Sequence, residues 1–102
     1  MSSELSKLGD KVKAIREAEQ LSQVQFAEKT GISISTIKKY ETGRMEPGGI
    51  TLLKITTHEQ FKKYALWLMT DETNESAGQV CPALSPDGLE STSSTQKANK
   101  AG

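Results

Sequence analysis

Disulfide chemistry has almost nothing to work with in this chain: 102 residues carry one cysteine, Cys81, which excludes an internally cross-linked scaffold. Histidine is equally scarce. The single His58 has no cysteine or second histidine near it in sequence, so no metal centre is expected. There is no apolar run long enough to span a bilayer and no recognisable secretory leader, which makes a reducing cytoplasm the expected compartment and leaves no membrane partner. Only 34% of the residues are hydrophobic, so a chain of this length supports one small core if part of it stays outside. Catalytic signatures are missing as well. His58 lacks a plausible nucleophile partner, and neither a phosphate-cradling glycine loop nor a carboxylate pair is present, so an enzyme is the least favoured class and no cofactor is expected.

A net charge of zero argues, on its face, against a nucleic-acid partner. The charge is unevenly distributed, however. Residues 1–69 hold eleven Lys or Arg against eight Asp or Glu, whereas residues 70–102 hold two against five. A basic front is thus balanced by an acidic tail. Between Lys29 and Arg44 stand four cations, Lys29, Lys38, Lys39 and Arg44, with Glu41 as the one anion, which is the local balance that phosphate contact requires.

What is present in strength is a pair of short helices around one turn. Ser22 is a natural N-cap with Gln25 three residues on, the signature of a capping box. Val24, Phe26, Ala27 and Thr30 follow at helical spacing, and Gly31 permits the left-handed turn that ends the helix. After Ile32, Ser33 offers a second N-cap for a helix from Ile34 to about Thr42, with Ile37 and Tyr40 on its buried stripe and Gly43 beyond its end. The small Ala27 suits a steep helix crossing. This is the spacing of a helix-turn-helix.

With Ile37 and Tyr40 inward, the opposite face of the second helix presents Ile34, Ser35, Lys38 and Lys39, because residues four apart share a face. A DNA major groove admits one α-helix and displays edges that distinguish all four base pairs. Ile34 is therefore expected against a thymine methyl, Ser35 on a base edge and Lys38 on guanine acceptors. Lys39 belongs to the same face, within reach of phosphate, and Thr36, Thr42 and Arg44 are expected on phosphates.

These residues carry a resemblance. Leu8 to Arg16, Leu21-Ser22-Gln23, Ala27, Gly31-Ile32-Ser33, Ser35-Thr36-Ile37, Tyr40-Glu41, Gly43-Arg44 and Pro47 are similar to the DNA-binding domains of the Cro and lambda-repressor type. Phe61 to Thr70, with Gly78-Gln79 and Pro82-Ala83-Leu84, narrows the likeness to the immunity repressors of P2-like temperate bacteriophages. The resemblance implies an all-α, five-helix domain with an extended or disordered C-terminal tail. It further implies a homodimeric repressor in the host-cell cytoplasm that maintains lysogeny by binding operator DNA and blocking the early lytic promoter, reading direct repeats rather than a palindrome. A phage antirepressor is the further partner it leaves open. Residue by residue, it implies an ion pair between Arg16 and Glu41 and a phosphate contact for Gln23. The sequence departs from the commoner pattern at Ile34, where an amide or arginine often stands, which shifts weight from direct readout to DNA shape.

Around this motif, a first helix is expected from Glu4 to about Glu19 with Leu5, Leu8, Val12, Ile15 and Ala18 inward. Arg44 to Gly49 reads as a loop. Ile50, Leu52, Leu53 and Ile55 suggest a short fourth helix; the β-branched content of Ile50 to Thr56 also allows a strand, and the resemblance decides for the helix. Thr57 and Gln60 have the spacing of a capping box for a fifth helix, with His58 and Glu59 in its exposed first turn. Phe61, Tyr64, Ala65 and Leu68 form one stripe of that helix, while Leu66, Trp67 and Met69 fall on others. An all-round apolar helix needs a second covering surface, which a second copy of the chain would supply. Phe61, Tyr64, Leu66, Trp67, Leu68 and Val80 are accordingly the expected dimer interface. Residues 1–69 thus make up the DNA-binding and dimerisation domain, residues 70–85 an extended segment at the interface, and residues 86–102 a disordered tail. Two other functions fit the same motif. An antitoxin-type autorepressor would neutralise a toxin through its tail, although that tail lacks an amphipathic stripe, and a protein-interaction module would show no salt-dependent DNA affinity.

Overall fold

The computed structural model describes residues 7–83. In chain order it contains α1 (Leu8–Ala18), α2 (Gln23–Thr30), α3 (Ile34–Glu41), α4 (Gly49–Thr56), a 3-10 turn (Lys62–Tyr64) running into α5 (Ala65–Thr70), and a second 3-10 turn (Glu75–Ala77). The fold is all-α with five helices, and the described residues hold one isolated bridge, Asn74 to Gln79, rather than a strand. Glu4 and Leu5, the expected opening of the first helix, and the expected tail over residues 86–102 lie outside the described residues.

Local chemistry sets the ends of the central helices. At Ser22 both arms of the capping box form: the Gln25 amide donates to Ser22 Oγ at 3.0 Å, and the Ser22 amide donates to Gln25 Oε1 at 2.8 Å. Gly31 closes α2 at φ 77°, in the left-handed region. Ser33 caps α3 by accepting from the Thr36 amide at 3.2 Å. Thr30, buried at the end of α2, donates to the Phe26 carbonyl and accepts from the Ile32 amide, so the turn leaves these polar groups satisfied.

The core draws on every helix: Val12 and Ile15, Phe26, Ile32 in the turn, Ile37 and Tyr40, Ile55, then Phe61, Tyr64 and Leu68. The Phe26 and Phe61 rings meet at 5.1 Å with a 57° tilt, a favourable edge-on geometry. Two helices approach closely at Gly9. A Cβ there would stand 2.0 Å from the Tyr40 carbonyl oxygen, so α1 bears directly on the backbone at the end of α3.

Val24, one of the apolar residues at helical spacing in α2, is 51% exposed. Three expectations are corrected. Thr57 does not open the fifth helix. It closes α4, its hydroxyl donating back to the Leu53 carbonyl at 2.6 Å, and the chain then turns through residues 58–61 before α5 begins at Ala65. His58 consequently leaves the exposed helical turn foreseen for it; its ring stacks on Phe61 at 4.6 Å and its Nδ1 accepts from the Gln60 amide. Residues 71–80 also differ from a plain extended segment. Asn74 and Gln79 pair across a tight turn, and the Val80 amide donates to the Lys63 carbonyl at 2.9 Å, folding the segment back on α5.

Candidate nucleic-acid interface

A helix reads DNA only if its inner side is immobile and its outer side is free. The inner side of α3 is held by Ile37, fully buried, and Tyr40, whose hydroxyl shares a hydrogen bond of 2.8 Å with Thr51 of α4. At its C-terminal end Glu41 is an anion at the negative pole of the helix, an unfavourable place without a counter-charge. Arg16 supplies it. Its Nε donates to Glu41 Oε2 at 2.7 Å and its Nη2 to Oε1 at 3.0 Å, a two-point pairing between α1 and α3. Its Nη1 donates to the Leu21 carbonyl at 2.8 Å, tying in the turn before α2. Both side chains are withdrawn from water, with 13% of Arg16 and 5% of Glu41 exposed. The hydrogen bond to Glu41 raises the Arg16 pKa above its ordinary value, more than burial lowers it.

Gln23 joins this frame. Its Nε2 donates to Glu41 Oε1 at 3.0 Å, so α2 as well as α1 is fastened to the end of α3. That partner was not legible in the sequence. One amide hydrogen of Gln23 is engaged there, and its amide group carries a second donor.

On the outer face, Ser35, Lys38 and Lys39 are exposed and Ile34 and Thr36 half-buried. Ser33 Oγ donates to Thr36 Oγ1 at 2.8 Å, which leaves the Thr36 hydroxyl hydrogen available to an acceptor outside the protein. Thr42 differs: its hydroxyl already donates to the Lys38 carbonyl at 2.9 Å, so contact with a phosphate requires that bond to open. Arg44 is exposed just past the helix. Among the described residues Lys38, Lys39 and Arg44 pair with no carboxylate, so their charge is uncompensated on one surface.

The expected interface residues divide. Phe61, Tyr64 and Leu68 are sealed inside the chain's own core, and Leu66, Trp67 and Val80 are half-buried. The open apolar surface lies elsewhere, in a groove between α4 and α5 lined by Ile50, Leu52, Leu53, Ala65 and Met69. Ile50 is 71% exposed, and Leu53 and Met69 are 56% exposed each. Ile50 and Leu53 carried no interface signal in the sequence, because both fitted the core stripe of a short helix.

Comparison with known proteins agrees with this geometry. A helix-turn-helix family model matches residues 12–57, from within α1 to just past the end of α4. Repressor protein C of Escherichia phage P2 is 36% identical over 95 residues, covering 93% of this chain and 96% of that protein. With the capped helix pair, the buried brace behind α3 and a relative aligned nearly end to end, the chain belongs to the helix-turn-helix family of DNA-binding regulators, in the group that includes the phage P2 repressor.

Proposed function

We propose that this protein is the repressor of a temperate phage, which binds operator DNA as a homodimer, silences the early lytic promoter and so maintains lysogeny. The observation that carries the reading is α3 itself: Ser35, Lys38 and Lys39 stand free on a helix whose far side is locked by Arg16, Glu41 and Gln23. Ile34, Ser35, Lys38 and Lys39 face the bases, and Gln23, Thr36 and Arg44 the phosphates. Thr42 contributes after its intrahelical bond yields.

One such helix spans few base pairs, so affinity depends on a second copy. The uncovered apolar groove beside α5 is the surface that supports dimerisation, since large apolar side chains exposed together on a small domain favour association. Two recognition helices about 34 Å apart would enter successive major grooves on one DNA face. Similarity to the phage P2 repressor supports repression of phage genes. Footprinting on DNA upstream of the native locus tests the reading. Two protected half-sites one helical turn apart are expected, in the same orientation if the sites are direct repeats. An absence of protection, or an affinity for random DNA that does not change between two ionic strengths, would refute it.

A further inference from the structure

One buried charge has no part in the reading of DNA described above. Lys11 is 5% exposed, yet its ammonium is fully engaged. Nζ donates to the carbonyls of Trp67 and Leu68, both at 3.2 Å, pairs with Asp71 Oδ1 at 2.6 Å, and lies 5.3 Å from the centroid of the Trp67 ring. Both carbonyls belong to the last turn of α5, where the helix dipole is negative; the Trp67 carbonyl also accepts the Asp71 amide at 2.8 Å, whereas the Leu68 carbonyl relies on Lys11. Lys11 is therefore the cap of a helix more than fifty residues away in sequence, supplied from α1.

That cap matters because α5 cannot hold its own position. Its α-helical part is six residues, shorter than any helix that persists alone in water. Its other end is also held from outside: the Leu66 amide donates to Gln79 Oε1 at 2.9 Å, and Gln79 Nε2 donates to the Lys62 carbonyl at 3.1 Å. Met69, which lines the open groove, sits between the Leu68 carbonyl and Asp71, the two groups that Lys11 grips. In the same turn of α1, Gly9 rests on the Tyr40 carbonyl at the end of α3. A single helical turn thus touches both the reading helix and the helix that borders the groove.

We infer that Lys11, with Asp71, is a positioning residue that fixes the angle between α5 and α3, and through it the separation of half-sites that the dimer accepts. The inference rests on the dimer reading above. Without the ammonium, the last turn of α5 and Met69 with it would swing relative to α1, and the two recognition helices would lose their fixed offset while each kept its own grip on a half-site.

The test uses the full chain and a half-site selected from random duplexes. Binding is measured to duplexes with one copy of that half-site, and with two copies whose centres are stepped one base pair at a time around a helical turn. The wild type is expected to prefer one separation. Lys11→Met, which keeps the apolar stem, should bind the single copy within about twofold of wild type and lose at least about fivefold of the preference among separations, and Lys11→Arg should restore it. Asp71→Asn, at a side chain 42% exposed, should flatten the preference to a lesser degree and gives the readout where Lys11→Met is too unstable to purify. Unchanged preference in these variants, or single-copy and two-copy binding lost in equal measure, overturns the assignment of Lys11 alone. A wild type that binds two copies no better than one overturns the dimer reading, and this inference with it.

Discussion

Replacing Arg16 by alanine removes three hydrogen bonds at once, two to Glu41 and one to the Leu21 carbonyl. The larger loss is what stays behind. Glu41, with 5% of its side chain exposed, would keep the Gln23 amide as its remaining bonded partner, so a carboxylate would be stranded out of water. Breaking a buried pair from one side costs about 3–5 kcal/mol. A domain of this size has about 5–15 kcal/mol of stability in all, and each kcal/mol moves the melting temperature by roughly 4–8 °C. Arg16→Ala should therefore melt roughly 12–40 °C lower than wild type. Urea unfolding followed through the fluorescence of Trp67 measures the change, and a second variant isolates its cause. Arg16→Met with Glu41→Leu removes both charges and should recover most of the loss, because a buried pair adds little over apolar packing. DNA affinity should fall in Arg16→Ala as a consequence of a loosened α3. An Arg16→Ala protein that unfolds at the wild-type urea concentration would refute the brace.

Further expectations follow from single contacts. Gly9→Ala places a methyl 2.0 Å from the Tyr40 carbonyl oxygen, so α1 and α3 must part; a loss of about 1–3 kcal/mol in urea unfolding and weakened DNA binding are expected. Lys38→Ala should cost about 1–3 kcal/mol on the specific site and relax preference at one base, with little change on random DNA; equal losses on both would make Lys38 a phosphate contact. Leu53→Glu puts a charge on the exposed groove and should shift sedimentation from dimer to monomer while the monomer keeps its helical circular dichroism. Burial raises the pKa of Glu19, but hydrogen bonds from Tyr64, Gln60 and Lys63 together outweigh it and leave the carboxyl below its ordinary value of 4.5. A depressed carboxylate stabilises the fold above its unfolded value and loses that effect as pH falls through its folded one. The stability gap between wild type and Glu19→Gln should then be constant above about pH 5 and close at lower pH.

The parts of this fold that could be read from sequence are those whose cause lies within a few residues. Ser22 with Gln25, Gly31 and Ser33 cap or turn the chain through neighbours in the same turn, and each stands where its spacing placed it. Thr57 has the same local signature as Ser22 and a different fate. Its hydroxyl finds the Leu53 carbonyl behind it before any new helix begins, a competition that spacing does not decide. Val24, Ile50, Leu53 and Met69 are apolar and exposed, and which side of a short helix finds a neighbour depends on elements far away in the chain. Gly9 against Tyr40 and Lys11 against Trp67 are contacts of that long-range kind. The site divides in the same way. The reading face of α3 follows from helical geometry, the Arg16 to Glu41 pair was implied by resemblance alone, and the Gln23 bond to Glu41 needed the packed helices to reveal it.

The most direct measurement is a backbone amide shift map of the protein titrated with a duplex carrying one selected half-site. The largest changes should fall between Ser33 and Arg44, with smaller ones at the start of α2, and Ile50 to Thr56 should stay nearly fixed. Changes centred on the groove between α4 and α5, with α3 silent, would contradict recognition through α3.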